Sequence, residues 1–390
     1  MKRHLIVLFS LLLAMNAAAQ EKQLTAQDLI PGGKNTYRFV PQSPKQLSFV
    51  GDSYIYRQGD TLLTARPGQK KRAVWLTLDR LNQGLEEAGL KAVKSIPAFS
   101  VEERDGTPRL GLWLQSSFLL FNPETARVDY RIPYRKGDTN FAYEPHHKRL
   151  AVTQGRDLVV IDSDSNRTVV AHDDNEAVSF GASNVHRNEF GISKGIFWSP
   201  QGNAVAFYRM DESRVTDYPL VDISARTAAL KATKYPMAGM ASHEVKVGVC
   251  HLASGDTVYL RTPGEKDQYL TNIAWSPDES CIYLQRLNRA QDTSRLEAYD
   301  ATTGRLLRTL FTETSEKYVE PQHPIIFLPG HDDRFVLLSR RDVYHHPYLY
   351  NTDVRLLPQL TSGPCDVLSA TPSPHATSPL TTPTEAPPPP

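Results

Sequence analysis

The sequence predicts an all-β fold, a β-propeller of four-stranded antiparallel blades. Three observations point there. Most of the chain alternates apolar and polar residues with period two, as in Val245–Val249, Asp157–Ile161 and Arg334–Leu338. An aromatic or apolar pair before a proline recurs at Phe141–Pro145, Phe197–Pro200, Ala274–Pro277 and Phe327–Pro329, with proline spacings of 55, 77 and 52 residues. Between these copies falls a second motif, two strands around a turn rich in Asp, Thr, Ser and Gly. Strict alternation of two motifs is what radially stacked blades require, because stacking hides the edge strands.

From the N-terminus, residues 1–19 read as a secretion signal. Lys2 and Arg3 precede an apolar run from Leu5 to Met15, and Asn16–Ala19 supplies small residues for cleavage before Gln20. A retained anchor is the alternative, but the run is shorter than the ~20 residues a bilayer needs. No cysteine stands at the cleavage site for a lipid anchor. These features predict an exported protein, periplasmic or extracellular. Residues 20–50 lead into the propeller, expected over 51–363. Thr77–Lys94 has helical spacing, interrupted by Gly84 and Gly89.

The aromatic residue ahead of each proline is expected to pack between blades, and the proline to end its strand because it cannot donate to a ladder. The second motif lies around Phe121, Ile161, Leu252, Tyr299 and Tyr350. The step from Trp198 to the next turn takes 54 residues, against about 18 to 24 elsewhere, so roughly Arg209–Ser242 is an insertion in one blade. Such a loop is either a binding element or neutral decoration. Residues 364–390 hold nine prolines with many Ser, Thr and Ala and little to bury, so a disordered tail is expected.

Lys+Arg number 44 against 43 Asp+Glu, and removing the signal leaves a net charge near −1. That balance argues against nucleic acid, which needs a basic field. No other segment is long and apolar enough to span a membrane. Of Cys250, Cys281 and Cys365 at least one stays unpaired, and free thiols in strands are the preferred reading. His146–His147 and His345–His346 point to opposite faces of their strands, so no metal site is expected. No cofactor motif is present, and a homodimer is compatible with the sequence.

Val185–Ile192, Phe197–Pro200, Phe207–Ser213, Tyr235–Gly239, Leu270–Glu279, Tyr318–Pro321 and Gln359–Gly363 together resemble bacterial dipeptidyl peptidase IV. The likeness covers most of residues 20–363. It implies an eight-bladed propeller capping an α/β-hydrolase domain that carries the Ser, Asp and His. It also implies release of N-terminal dipeptides with Pro or Ala second. In that family the propeller filters substrates, and two adjacent glutamates hold the free amino terminus of the peptide. A protonated amine in a partly dry cavity needs such a carboxylate. Counting back from Trp198 by the family's spacing, the second glutamate falls on Glu189 and the first on Asn188, so the resemblance implies Glu189, Asn188 and the adjacent Arg187 as substrate-binding residues. One carboxylate is thereby kept, and a neutral partner weakens the anchor. The alternative is an exposed Glu189 paired with Arg187 or His186.

Gly191–Gly195 matches the G-x-S-x-G nucleophile elbow, but Ser193 is rejected as catalytic. An elbow needs a strand before and a helix after it, whereas Ile196–Trp198 is β-type. The family's Gly-Trp-Ser-Tyr-Gly-Gly string is absent, so no catalytic residue is expected here, and the chain is expected to be inactive alone. A reading-frame change or truncation near Pro364 is the expectation, with a natural short form as the alternative. The functional reading is then the substrate-gating propeller of a dipeptidyl peptidase IV-like serine peptidase. Its alternative is a stand-alone exported propeller binding peptides or a protein partner.

Overall fold

The computed structural model describes residues 24–30, 33, 35, 45–353, 355–371 and 380–383. The expected signal over 1–19 lies outside them. The chain divides into two compact units, residues 1–111 with 121–127, and residues 112–120 with 128–390.

In the first unit, β1 (Lys45–Val50), β2 (Ser53–Gln58), β3 (Thr61–Ala65) and β4 (Arg72–Thr77) form an antiparallel sheet in sequence order. The first sheet thus begins at Lys45, ahead of the residue 51 expected. Helix α1 (Leu78–Glu87) follows directly. Thr77 accepts at its hydroxyl from the Arg80 N–H and caps it, while Leu81 and Leu85 are buried. Gly84 does not break this helix, because it lets the helix approach another backbone. A Cβ there would lie 2.0 Å from the carbonyl oxygen of Ala126. A further sheet, whose residues are shared between the two units, comprises in order β5 (Phe99–Arg104), β6 (Thr107–Trp113), β7 (Ser117–Asn122) and β8 (Arg127–Pro133).

The second unit continues with the sheet β9 (Asp138–Glu144), β10 (Arg149–Gln154), β11 (Asp157–Asp162) and β12 (Arg167–Ala171). The next sheet runs β13 (Val178–Phe180), β15 (Ala204–Asp211), β18 (Glu244–His251), β19 (Thr257–Tyr259), with β14 (Ile196–Trp198) also on β15. Two more four-stranded sheets follow in order. One is β20 (Tyr269–Trp275), β21 (Cys281–Leu287), β22 (Thr293–Asp300) and β23 (Leu306–Thr314). The other is β24 (Ile326–Leu328), β25 (His331–Asp342), β26 (Tyr344–Asn351) and β27 (Leu356–Gln359). Four-stranded antiparallel sheets in chain order are the blades that the motif alternation predicts, and the fold is an all-β propeller.

The recurrent tryptophans tie successive sheets together. Trp198 Nε1 donates to the carbonyl of Ala142 on β9, and Trp275 Nε1 donates to that of Phe197 on β14, at 2.9 and 3.0 Å. Between these sheets lie apolar layers. Leu158, Val160, Phe180, Val205 and Phe207 share one, and Tyr208, Val247, Leu270, Ile282 and Leu284 share another. The inner strands correct the expected period-two pattern. All four central residues of β10 and of β11 are buried. A blade sandwiched between two others covers both faces of its middle strands, so they read as continuous apolar runs. Alternation survives on the outer strands, as in β8.

The insertion is a hairpin, β16 (Asp217–Asp222) with β17 (Ala229–Lys234). The tail departs from the disorder expected over 364–390, because β28 (Val367–Thr371) pairs with β29 (Leu380–Pro383). Val367 supplies the reason. It is buried in a cluster with Val336, Leu338 and Leu349, so the segment does have an apolar group to bury. Cys250, Cys281 and Cys365 are unpaired. Among the described residues no group of His, Cys, Asp and Glu could hold a metal, and no helix is long and apolar enough to cross a membrane.

Candidate functional site

The loop from β13 to β14 carries Arg187, Asn188 and Glu189. Its backbone is unusual for residues with side chains. His186, Arg187 and Asn188 have φ of 50, 58 and 62°, in the left-handed region, and Phe190 and Gly191 follow at 55 and 72°. Non-glycine residues there cost of order 1 kcal/mol or more each, so surrounding contacts must hold them. Val185 is fully buried on one side of the loop. On the other, Phe190 is buried against the Tyr269 ring, 5.0 Å between centroids. Asn188 Nδ2 donates to the carbonyls of Ser183 at 2.7 Å and Ile192 at 3.3 Å, closing the loop from within.

A buried pair of imidazoles pins its start. The His186 N–H donates to His243 Nε2 at 3.1 Å, and the Leu270 N–H donates to His186 Nε2 at 3.1 Å. Both histidines are held below the usual imidazole range, first by burial. His186 is also opposed by His243 and Arg289, and His243 by Arg187 and Arg289. The loop is therefore fixed by neutral rings.

The three predicted residues part company here. Glu189 is exposed between these fixed points, with extended backbone. Among the described residues nothing donates to its carboxylate, so the pairing with Arg187 or His186 is not formed. Arg187 turns away. It pairs with Glu212 at 3.4 Å, donates to the Lys234 carbonyl and lies 5.6 Å over the Tyr235 ring. Burial raises the Glu212 carboxyl, against the pull of Arg187 and Lys234. Glu212 and Lys234 line an open cleft of about 520 Å³ with Asn140, Arg156, Glu176 and Asn184. Ser193 sits on the same loop, exposed, with β14 rather than a helix after it.

Sequence reasoning missed His243 and Glu212. Glu212 lies inside Phe207–Ser213, a segment that carries the family resemblance but no local mark of a site. Nothing local marks His243, whose partner is 57 residues away.

A family profile described as the dipeptidyl peptidase IV (DPP IV) N-terminal region matches residues 114–375. A Neurospora crassa protein described as a probable dipeptidyl-aminopeptidase B is 23% identical over 284 residues, covering 65% of this chain and 30% of its own length. Its counterpart in Talaromyces marneffei is 24% identical over 290 residues, covering 66% and 32%. Among solved structures, a Bacteroides ovatus protein described as a dipeptidyl aminopeptidase IV superposes with TM-score 0.79 at 36% identity, covering 90% of this chain and 51% of that one. Porphyromonas gingivalis dipeptidyl peptidase 4 gives TM-score 0.70 over 91% and 51%; at 18% identity it speaks to the fold alone. The chain thus spans about half the length of these solved proteins and about a third of the curated relatives.

Proposed function

This chain belongs to the family of dipeptidyl peptidase IV N-terminal regions, and we propose that it admits peptide substrates and anchors their free amino terminus for a dipeptidyl peptidase IV-like serine peptidase. The observation that carries this reading is the Glu189 carboxylate, exposed and unpartnered among the described residues on a loop fixed at both ends. A peptide ammonium supplies the missing partner. Asn188 spends its NH2 group on the loop, which leaves Oδ1 as a second acceptor. Arg187 is committed to Glu212, so it shapes the neighbouring cleft rather than the anchor.

The substrates are peptides with Pro or Ala second. Cleavage is assigned to a Ser-Asp-His hydrolase domain not contained in residues 1–390, and these residues bind without cutting. The leader-like residues 1–19 support export to the periplasm or outside the cell.

Calorimetry with Ala-Pro-Ala and its N-acetyl form tests the anchor. A charge-assisted contact of this kind is worth about 10- to 100-fold in affinity. Acetylation is expected to cost that much, and Glu189→Gln to remove most of the difference. Equal affinities for both peptides would exclude the anchor.

A further inference from the structure

The loop that presents Glu189 runs on into Ser193 and Lys194, and these residues wall a separate cavity. It measures about 150 Å³ and is lined by Ser193, Lys194, Phe197, Tyr208, Asn272 and the backbone around them. That is room for several water-sized groups. Among the described residues no carboxylate lines it. Lys194 is its one cation, and among the described residues no acidic group pairs with that ammonium. The Lys194 Nζ instead rests 5.1 Å over the Phe197 ring, a weak substitute for a counter-charge. The side chain reaches solvent, yet the surrounding protein still lowers its pKa from the ordinary lysine value.

The polar partners fit an anion with a neutral neighbour. Asn272 is buried, and its Nδ2 is spent on Thr271 Oγ1 at 3.1 Å and the Pro321 carbonyl at 2.8 Å, which leaves Oδ1 to accept. The Tyr208 hydroxyl is committed to the Leu270 carbonyl at 2.9 Å. Among the described residues the Ser193 hydroxyl has no hydrogen-bond partner, and it can donate or accept. One strong cationic donor, one hydroxyl and one amide oxygen together take a carboxylate that carries a hydrogen-bond donor nearby.

We propose that this cavity is a carboxylate subsite, with Lys194 as its charged contact, for peptides held at the Glu189 loop. It rests on the peptide-binding reading above. The carboxylate comes either from an acidic side chain or from the C-terminus of a short peptide. A site of this kind makes the protein prefer acidic or very short peptides over neutral long ones.

The test uses the full 390-residue chain and four peptides: Ala-Pro-Ala as free acid and as amide, and the amides of Ala-Pro-Ala-Glu-Ala and Ala-Pro-Ala-Gln-Ala. A carboxylate preference of roughly 5- to 20-fold at low salt is expected in one pair or both. The first pair reports a C-terminal carboxylate and the second a side chain. Lys194→Gln should erase the preference and leave the neutral amides unchanged, while Lys194→Arg should retain it. Equal affinities within both pairs, or a preference that survives Lys194→Gln, overturn the proposal.

If no peptide binds at all, the anchor reading fails and the subsite is judged separately. The protein is then dimethylated with ¹³C at its lysines, and the Lys194 signal is identified by its loss in Lys194→Arg. Propionate should shift that signal and raise its titration midpoint; an unmoved signal at saturating propionate overturns the subsite.

Discussion

His186 Nδ1 lies 3.0 Å from His243 Nε2, and the backbone hydrogen bonds around the pair assign their protons. The Leu270 N–H occupies His186 Nε2, so the proton of that ring sits on Nδ1 and points at His243. His243 Nε2 already accepts from the His186 N–H, so its own proton sits on Nδ1, which is buried without a partner among the described residues. Each ring is locked in its neutral form. A second proton on either would displace a backbone donor or set two N–H groups face to face.

The pH dependence follows. Unfolded, each histidine titrates near 6.5. Folded, both are depressed, His243 to about 4. The unfolded chain therefore binds more protons in that window, and stability is complete above it and lost as pH falls through it. Between pH 7.5 and 5, His243 alone should change the free energy of denaturant unfolding by on the order of 2 kcal/mol, and His186 adds in the same direction. His243→Gln keeps an acceptor for His186 and should reduce the difference. Identical stabilities at the two pH values would refute the locked pair.

Much of the fold was legible because its signals are local and repeated. Trp198 and Trp275 each precede Ser-Pro, and each reaches back to the sheet before it. The choice of Glu189 came only from the family resemblance, through the family's spacing to Trp198. The supports of its loop were not legible, since His186 meets His243 across the whole hairpin insertion, at a separation of 57 residues. Periodicity also misled. Strands such as β11, buried on both faces, lose alternation, and the proline-rich tail masked the short apolar stretch at Val367.

A buried ion pair sets a stability test. Arg286 grips Glu297 with two hydrogen bonds, Nε to Oε2 at 2.9 Å and Nη2 to Oε1 at 2.6 Å, and Tyr299 donates to Oε2 at 2.5 Å. Glu297 is wholly buried. Glu297→Ala leaves the guanidinium uncompensated and should cost about 3–5 kcal/mol. Replacing both partners, Arg286→Met with Glu297→Leu, should cost less than that single change. A double variant worse than Glu297→Ala, measured by denaturant unfolding, would show the pair itself to be net stabilising.

Ser193 offers a chemical check on the site. Its hydroxyl has no histidine within hydrogen-bonding reach among the described residues, and the sharp strand-to-helix turn of an elbow is missing. A fluorophosphonate probe should leave the protein unlabelled. Labelling that disappears in Ser193→Ala would establish a nucleophile here and reverse the assignment of chemistry to another domain.

Gly191 sets the backbone of the loop on which the proposed amine anchor depends. Its φ is +72°, and a Cβ would lie 1.9 Å from the carbonyl oxygen of Gln322. Neither backbone can yield cheaply, because Phe190 and Ile192 on either side are buried. Gly191→Ala therefore forces the segment carrying Glu189 to move, at about 1–3 kcal/mol of stability. Peptide affinity should fall at least tenfold, as with loss of the carboxylate itself. Gly239→Ala is the control. It shares a left-handed backbone at φ +76° but faces open space, so it should cost only ~1 kcal/mol and spare binding. Unchanged peptide affinity in Gly191→Ala, with the protein folded, would mean that Glu189 does not depend on this loop geometry.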